Sequence, residues 1–268
     1  GSLIQALSVG WALIFMGCLQ VISLAAFTAV PRLVRRQQAT AVGASALLEG
    51  IRMLRTEKGL ISILGVTAFV NFFFFSATPL LQVVGGKFNV GPALLGLLAA
   101  MLGIGMFAGS LGIAHYQPRR RGLLYVVGSY IAFVFMTGFA LVPLYAASAA
   151  FLVLAAVGMG FFGSTQSVLV MDAVSEQHRG RALGLLSSAI GVLPLGMLAV
   201  GEIAEVVGAS LAITLSVLTG ALLMTVFLRF RPEARYMSQA VREPAVETYE
   251  QSELPEHRRP DVFNLKPL

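Results

Sequence analysis

The Lys and Arg residues of this chain fall on alternate connections between long uncharged stretches. The uncharged stretches cover residues 1–31, 59–86, 88–118, 122–171, 182–201 and 206–228. Each can cross a bilayer, because ~20 apolar residues cover the roughly 30 Å hydrocarbon core. The sequence therefore predicts an all-α polytopic membrane protein.

The stretch 122–171 is long enough for two helices and is broken around Leu141-Val-Pro143-Leu-Tyr145, which gives seven spans in all. With seven spans, 18 of the 19 Lys and Arg residues lie on one side and Lys87 alone lies on the other, where Glu202 and Glu205 also fall. Short basic loops stay on the cytoplasmic side. We therefore expect a multi-pass protein of the bacterial inner membrane with a cytoplasmic C-terminus.

Composition supports this class and excludes others. Apolar residues make up 57% of the chain, charged residues make up 12%, and the mean hydropathy is +0.81, unlike an ordinary soluble domain. The net charge of +6 lies on membrane-flanking loops, so we expect lipid and no nucleic acid as a partner. Cys18 is the single cysteine, and a small apolar filler is its expected role, without a disulfide or a metal.

Two segments outside the predicted spans, and two prolines inside them, carry further structural information. Residues 32–58 are expected to form a cytoplasmic loop with a short amphipathic helix, the alternative being a plain solvated linker. The tail 231–268 has five prolines and charges of both signs, which predicts disorder. Pro79 and Pro194 lie inside spans two and six, where the lost backbone bond invites a kink that could serve as a hinge or cavity wall; the alternative is that the helix simply tolerates the proline.

Small residues recur at four-residue spacing, which predicts faces that pack on other helices. They are Gly105 and Gly109 in span three, Gly160, Gly163, Ser164 and Ser167 in span five, and Gly180, Gly184 and Ser188 in span six.

Several short motifs resemble the major facilitator superfamily, and within it the transmembrane secretion effector branch of enterobactin exporters and macrolide efflux pumps. They are Glu49-Gly-Ile-Arg-Met-Leu-Arg55, Gly91-Pro-Ala-Leu-Leu-Gly96, Arg119-Arg-Arg121, Arg179-Gly-Arg181-Ala-Leu-Gly184 and Pro194-Leu-Gly196. The resemblance implies that 1–31 is helix six of a twelve-helix transporter and that 59–230 is its C-terminal six-helix bundle. It also implies a partner, the N-terminal bundle, upstream of Gly1.

One signature of that family is incomplete here. Its loop between helices eight and nine carries an Asp before the basic residues, whereas this chain reads His115-Tyr-Gln-Pro118 before Arg119 and Arg120. The resemblance implies a cytoplasmic gate at this loop, in which a neutral His115 would replace the acid by hydrogen bonding; the alternative is a solvated loop histidine.

The connection between spans five and six is a second candidate for a gate. It holds two acids and two arginines, among them Asp172, Arg179 and Arg181. Arg179 could pair with an acid of this loop, or with a helix C-terminus of the other bundle, in one conformation only. The alternative is that Arg179 and Arg181 merely anchor the topology.

Polar residues inside spans two and five are the candidate substrate site. Asn71 stands in an aromatic run with Phe72 and Phe75, and Gln166 and Ser167 lie in span five. These side chains could line a cavity for a bulky, partly aromatic solute, or they could bond neighbouring helices to one another. Ionisable residues are missing from the depth of spans two to seven, so a proton relay would lie upstream or be absent.

These features favour a secondary transporter that exports a small molecule, such as a siderophore or drug, by alternating access as a proton antiporter. No cofactor is expected. The alternatives are a permease subunit that serves a separate ATPase and an integral-membrane enzyme. An enzyme would need a catalytic cluster, whereas His115, His178 and His257 are scattered over loops and tail.

Overall fold

The computed structural model describes residues 9–28, 57–116 and 118–236, which form helices joined by short turns. This part lies within the compact unit Gly1–Ser238. No strand occurs in the described ranges, which confirms the all-α class. The helices are α1 (Val9–Thr28), α2 (Lys58–Gly86), α3 (Pro92–Tyr116), α4 (Arg121–Leu141), α5 (Tyr145–Asp172), α6 (Glu176–Val207), α7 (Ala209–Phe230) and α8 (Glu233–Tyr236).

Helices α2 to α7 are long and apolar enough to cross a membrane, which confirms six of the seven predicted spans. The first predicted span, 1–31, corresponds to α1, whose apolar portion Leu13–Ala26 is shorter. The predicted amphipathic helix of the 32–58 loop lies outside the described residues.

The break that the sequence predicted in 122–171 is confirmed. Helix α4 ends at Leu141 and α5 begins at Tyr145. Val142 and Leu144 are extended on either side of Pro143, as expected for a residue before proline and for a turn that reverses the chain. The two helices then pack closely, because a Cβ on Gly128 would stand 2.6 Å from the carbonyl oxygen of Gly158.

Both membrane prolines coincide with interruptions, as predicted. Helix α2 is α-helical over Lys58–Phe69, π-helical over Val70–Phe74 and 3-10 over Phe75–Ala77, and becomes α-helical again over Leu80–Gly86, after Pro79. Pro79 cannot donate to the carbonyl of Phe75, and Thr78 bonds that oxygen instead through N (3.1 Å) and Oγ1 (2.7 Å). Helix α6 stops at Ile190 and resumes at Leu193, with Pro194 in the new first turn.

The small-residue faces divide into two groups. Gly105 and Gly109 of α3 approach the backbone of α5, and Gly160 approaches α3 in return, which confirms the prediction for this pair of helices. No described helix covers the others: Gly163, Gly180 and Gly184 have open space around them, and Ser164, Ser167 and Ser188 are exposed, so for these residues packing on another helix stays a prediction. Four-residue spacing marks a smooth helix face but does not say whether a helix of the same bundle covers it.

Hydrogen bonds between helices place the basic connections at one end of the bundle, here called the basic end. Ser62 near the start of α2 donates to the carbonyl of Arg231 (2.7 Å), and Tyr125 near the start of α4 donates to Ile63 (2.9 Å). At the opposite end, Lys87 after α2 donates to Ser210 at the start of α7, and Tyr145 of α5 donates to Leu94 of α3 (2.8 Å). The basic connections and the connections poor in basic residues, which alternate along the chain, therefore lie at opposite ends of the bundle.

The ordered bundle extends past the predicted boundary at residue 230. Glu233–Tyr236 form α8, Ala234 is fully buried, and its N–H donates to Ser62 Oγ at 3.1 Å. Ser62 thus accepts a bond from α8 while donating to Arg231, which ties the chain after α7 back to α2. The rest of the predicted tail, from residue 237, lies outside the described residues.

Candidate functional site

Two of the predicted site residues meet at a third residue, Thr67 of α2. Asn71 Nδ2 donates to the backbone carbonyl of Thr67 at 2.9 Å, one helical turn away. Gln166 Nε2 of α5 donates to Thr67 Oγ1 at 3.0 Å. Asn71 and Gln166 are 5% and 8% exposed, so both amides are largely enclosed.

Tyr125 of α4 completes this polar cluster. Its hydroxyl lies 2.8 Å from Thr67 Oγ1 and 2.9 Å from the carbonyl of Ile63. The ring is fully buried and stacks on Phe162 of α5, with the ring centroids 4.9 Å apart. A hydroxyl buried in this way needs hydrogen-bond partners, and Ile63 and Thr67 supply them. The cluster therefore joins α2, α4 and α5.

The cluster lies in the half of the bundle nearer the basic end. Thr67 is nine residues from the start of α2, Tyr125 is four from the start of α4, and Gln166 is six from the end of α5. At 1.5 Å per residue these are depths of roughly 6 to 14 Å. Thr67 lies three residues before the π-helical turn Val70–Phe74, and Asn71 lies within it. Such π-helical turns are frequent at functional sites.

The aromatic run after Asn71 splits between packing and partial exposure. Phe73 covers Gly220 of α7, and Phe74 is fully buried against Phe133 of α4, with ring centroids 6.4 Å apart. Phe72 and Phe75 are half-buried. Those two are the predicted site residues; Phe73 is half-buried as well, and Phe72 and Phe75 contact the rings of Phe73 and Phe74, with centroids 4.8 Å and 5.4 Å apart.

Hydroxyl groups satisfy backbone carbonyls of the interrupted segment. Ser76 Oγ donates to the carbonyl of Phe72, and Ser216 Oγ of α7 donates to that of Phe73 at 2.9 Å. Non-helical backbone at membrane depth is tolerated where other groups satisfy its polar atoms. Thr78 does the same for Phe75, so the break at Pro79 is held by side chains as well as by the backbone.

The remaining predicted site residue, Ser167, is exposed on α5, as is Ser164 beside it. Thr165 between them is buried and donates to the carbonyl of Phe161 at 2.7 Å, within its own helix. The structure thus brings Asn71 and Gln166 together, leaves Phe72 and Phe75 half-buried beyond Asn71, and leaves Ser167 on the surface of the bundle.

The candidate gating residues lie at the basic end. Arg179 Nη1 pairs with Glu176 at 3.0 Å, and Arg179 Nε donates to the carbonyl of Met171 at 3.4 Å, near the end of α5. Asp172, an alternative acid for this pair, is exposed. The contacts of Arg179 are therefore made within this bundle.

The other residues of that group are peripheral. His115 is exposed and packs edge-on against Tyr116, with ring centroids 5.0 Å apart; Arg119 and Arg120 are exposed, and Arg181 is half-buried. In the described ranges no group of three or more His, Cys, Asp or Glu residues could hold a metal ion.

Thr67 and Tyr125 are the residues that sequence reasoning missed. Thr67 stands four residues before Asn71, which puts it on the same face of the helix, and Tyr125 carries the hydroxyl nearest the start of span four. These signals were available but weak, because hydroxyl residues are common in membrane helices and usually bond their own backbone.

Comparison with protein families gives a match over most of the chain. The family profile described as Major Facilitator Superfamily matches residues 1–193, which are 193 of the 268 residues of the chain. The matched region holds the whole polar cluster and ends at the interruption of α6. The comparison with curated proteins found no match to this chain.

Proposed function

Because this chain belongs to the major facilitator superfamily, we propose that it works as an exporter of an amphipathic small molecule, such as a siderophore or drug. The six apolar helices and the family support a transporter of the major facilitator kind. The finer parts of the proposal are outward transport, exchange against protons and a place in the enterobactin-exporter branch. They rest on the motifs described in the sequence.

The observation that carries the proposal is a set of exposed small and polar residues on α5 and α6, here called the polar face. On α5, Gly163, Ser164 and Ser167 are exposed, and on α6 so are Ser187 and Ser188. Ser164 lies eight residues before the end of α5, and Ser187 lies eight after Arg179, so both stand ~12 Å from the basic end. Small polar residues at this depth suit a transport pathway or a second bundle better than they suit lipid.

The contact between the two interrupted helices supports the same proposal. Gly196 of α6 packs on Phe72 and Ser76 of α2, so the two breaks meet inside the bundle. Secondary transporters place their sites near the membrane midplane, where discontinuous helices meet. In this proposal the basic end faces the cytoplasm, because translocating its arginines is unfavourable. The N-terminal bundle of the same transporter is the proposed partner of the polar face.

The test is transport in inverted membrane vesicles of cells that express the intact protein, with an imposed proton gradient and with vesicles lacking the protein as the control. We expect accumulation of an amphipathic dye to follow the gradient and to stop when a protonophore collapses it, with or without ATP. Transport that persists on ATP after collapse would instead identify a permease subunit of an ATPase.

A matched pair of variants tests the polar face itself. Ser167→Leu should block transport by filling that face, whereas Val134→Leu, at a 61% exposed apolar position on α4, should not. Equal transport by both variants would remove the exposed face of α5 from the pathway.

A further inference from the structure

The hydrogen bonds around Thr67 run in one direction. The carbonyl of Ile63 can only accept, so the single proton of the Tyr125 hydroxyl is donated to it. The Tyr125 oxygen then accepts the single proton of Thr67, 2.8 Å away. Because the Thr67 hydroxyl donates its proton to Tyr125, its oxygen can only accept a hydrogen bond from Gln166. The Gln166 side chain therefore directs its nitrogen, and not its oxygen, at Thr67.

Asn71 is oriented by the same reasoning. Its partner is the backbone carbonyl of Thr67, which can only accept, so Asn71 also presents its nitrogen. Each amide thus directs one of its two N–H groups at residue 67, Gln166 at the side chain and Asn71 at the backbone. The acceptors left for other partners are the two amide oxygens, Asn71 Oδ1 and Gln166 Oε1, beside the second N–H of each amide.

Neither oxygen is sealed inside the bundle. Within the described residues the structure shows no hydrogen bond to either oxygen, and the fully buried side-chain atom without a partner is Glu233 Oε2. An oxygen that makes no bond and is not fully buried keeps some accessible surface. The half-buried rings of Phe72 and Phe75 follow Asn71 along the same helix.

We propose that Tyr125 and the Thr67 hydroxyl are positioning residues: they turn the Gln166 amide so that its oxygen, together with that of Asn71, accepts hydrogen bonds from the substrate. Resting on the proposed function, this assigns the substrate class: amphipathic aromatic compounds that carry amine, amide or hydroxyl donors. A compound whose donors are methylated would leave the two oxygens unpaired. A site built to bond a donor rejects such an analogue far more strongly than an apolar pocket does.

The experiment is dye binding to the intact protein in detergent, measured by fluorescence polarisation. The probes are a rhodamine methyl ester whose nitrogens carry hydrogens and the otherwise identical tetramethylrhodamine methyl ester, whose nitrogens carry none. We expect the first dye to bind at least about tenfold more tightly, the effect of one well-placed hydrogen bond. Equal binding, tighter binding of the tetramethyl dye, or binding of neither would overturn the substrate class.

Two substitutions at Thr67 test the positioning role. Thr67→Ser keeps the hydroxyl and should keep the preference between the dyes. Thr67→Val has the same shape without the hydroxyl, so it frees the Gln166 amide to turn and should reduce the preference between the dyes. Asn71 keeps its bond to the backbone of residue 67, and the tetramethyl dye should bind as before. A loss of packing alone would weaken both dyes equally, and an unchanged preference in a folded Thr67→Val would overturn the positioning role.

Tyr125→Phe provides a second route to the same test. It removes the acceptor that commits the Thr67 proton and should reduce the preference between the dyes while the protein stays folded, as judged by its melting temperature. An unchanged preference in this variant would overturn the role of Tyr125. Dyes that bind with the expected preference but are not transported would count against the proposed function and leave the orientation of the amides standing.

Discussion

Gly196 of α6 lies against the backbone carbonyl of Phe72, where the two interrupted helices of the bundle touch. A Cβ at this glycine would also stand 2.9 Å from Ser76 Cβ and 3.0 Å from the carbonyl carbon of Phe72. Backbone atoms cannot rotate away as the end of a side chain can. The contact therefore requires glycine at position 196, and it fixes the distance between the breaks at Pro79 and Pro194.

Replacing Gly196 with alanine should lower the free energy of unfolding by about 1–3 kcal/mol, the usual cost of overpacking a buried contact. Thermal unfolding in detergent measures it. Gly201→Ala is the matched control, because it lies on the same helix with open space around it and should be neutral or slightly stabilising. Equal melting temperatures for the two variants would show that the contact is not tight.

Single cysteines should report which side of the membrane the basic end faces. In a Cys18→Ser background, an impermeant thiol reagent added to intact cells should label positions 87 and 205 but not 120 or 179, because short basic loops stay in the cytoplasm. Labelling at 120 without labelling at 87 would reverse the orientation. Permeabilised cells serve as the control, since all four positions should then react.

Gln166→Ala and Asn71→Ala should both reduce transport but should differ in stability. The first removes the hydrogen bond that joins α5 to α2, worth about 1 kcal/mol, and the second removes a bond within α2. Transport assays and melting curves on the same preparations separate the two effects. Thr214→Ala, which loses a bond within α7, is the control. Normal transport by both cluster variants would exclude the cluster from the site.

Arg179→Lys should impair transport at normal membrane abundance. The guanidinium reaches Glu176 and the carbonyl of Met171 together, a geometry that an ammonium group lacks. Little stability should be lost, because the pair is exposed and such pairs contribute about 0–1 kcal/mol. Arg120→Lys, at an exposed position, is the control. Wild-type rates for Arg179→Lys would leave this arginine as a topology anchor only.

Ser62→Ala should loosen the chain after α7. It removes a donor to Arg231 and an acceptor for the buried N–H of Ala234, which costs about 1–3 kcal/mol when the backbone group stays unsatisfied. Hydrogen exchange at residues 231–236 should accelerate. Ser187→Ala, an exposed serine bonded to its own helix, should leave exchange there unchanged. Unchanged exchange in Ser62→Ala would mean that packing of Ala234 alone holds α8.

Much of the architecture follows from local sequence. Apolar length defines α2 to α7, and the pattern of basic residues assigns their ends to two sides. The turn after α4 and the two helix interruptions coincide with Pro143, Pro79 and Pro194. Proline lacks the backbone N–H that a helical hydrogen bond needs, and this effect does not depend on tertiary contacts. The π-helical turn at Val70–Phe74 was not predicted, since it depends on hydroxyl partners such as Ser216, far away in the sequence.

The sequence by itself determined the spans, their alternation and their breaks, because length, charge and proline act within a few residues. The tertiary structure decided which polar and small residues meet. Thr67, Tyr125 and Gln166 are distant along the chain and form one cluster, while Gly105 packs and Gly184 does not, although both lie in the same kind of four-residue pattern. Within an apolar membrane helix every face looks alike in sequence, so the neighbouring helix decides what each face does.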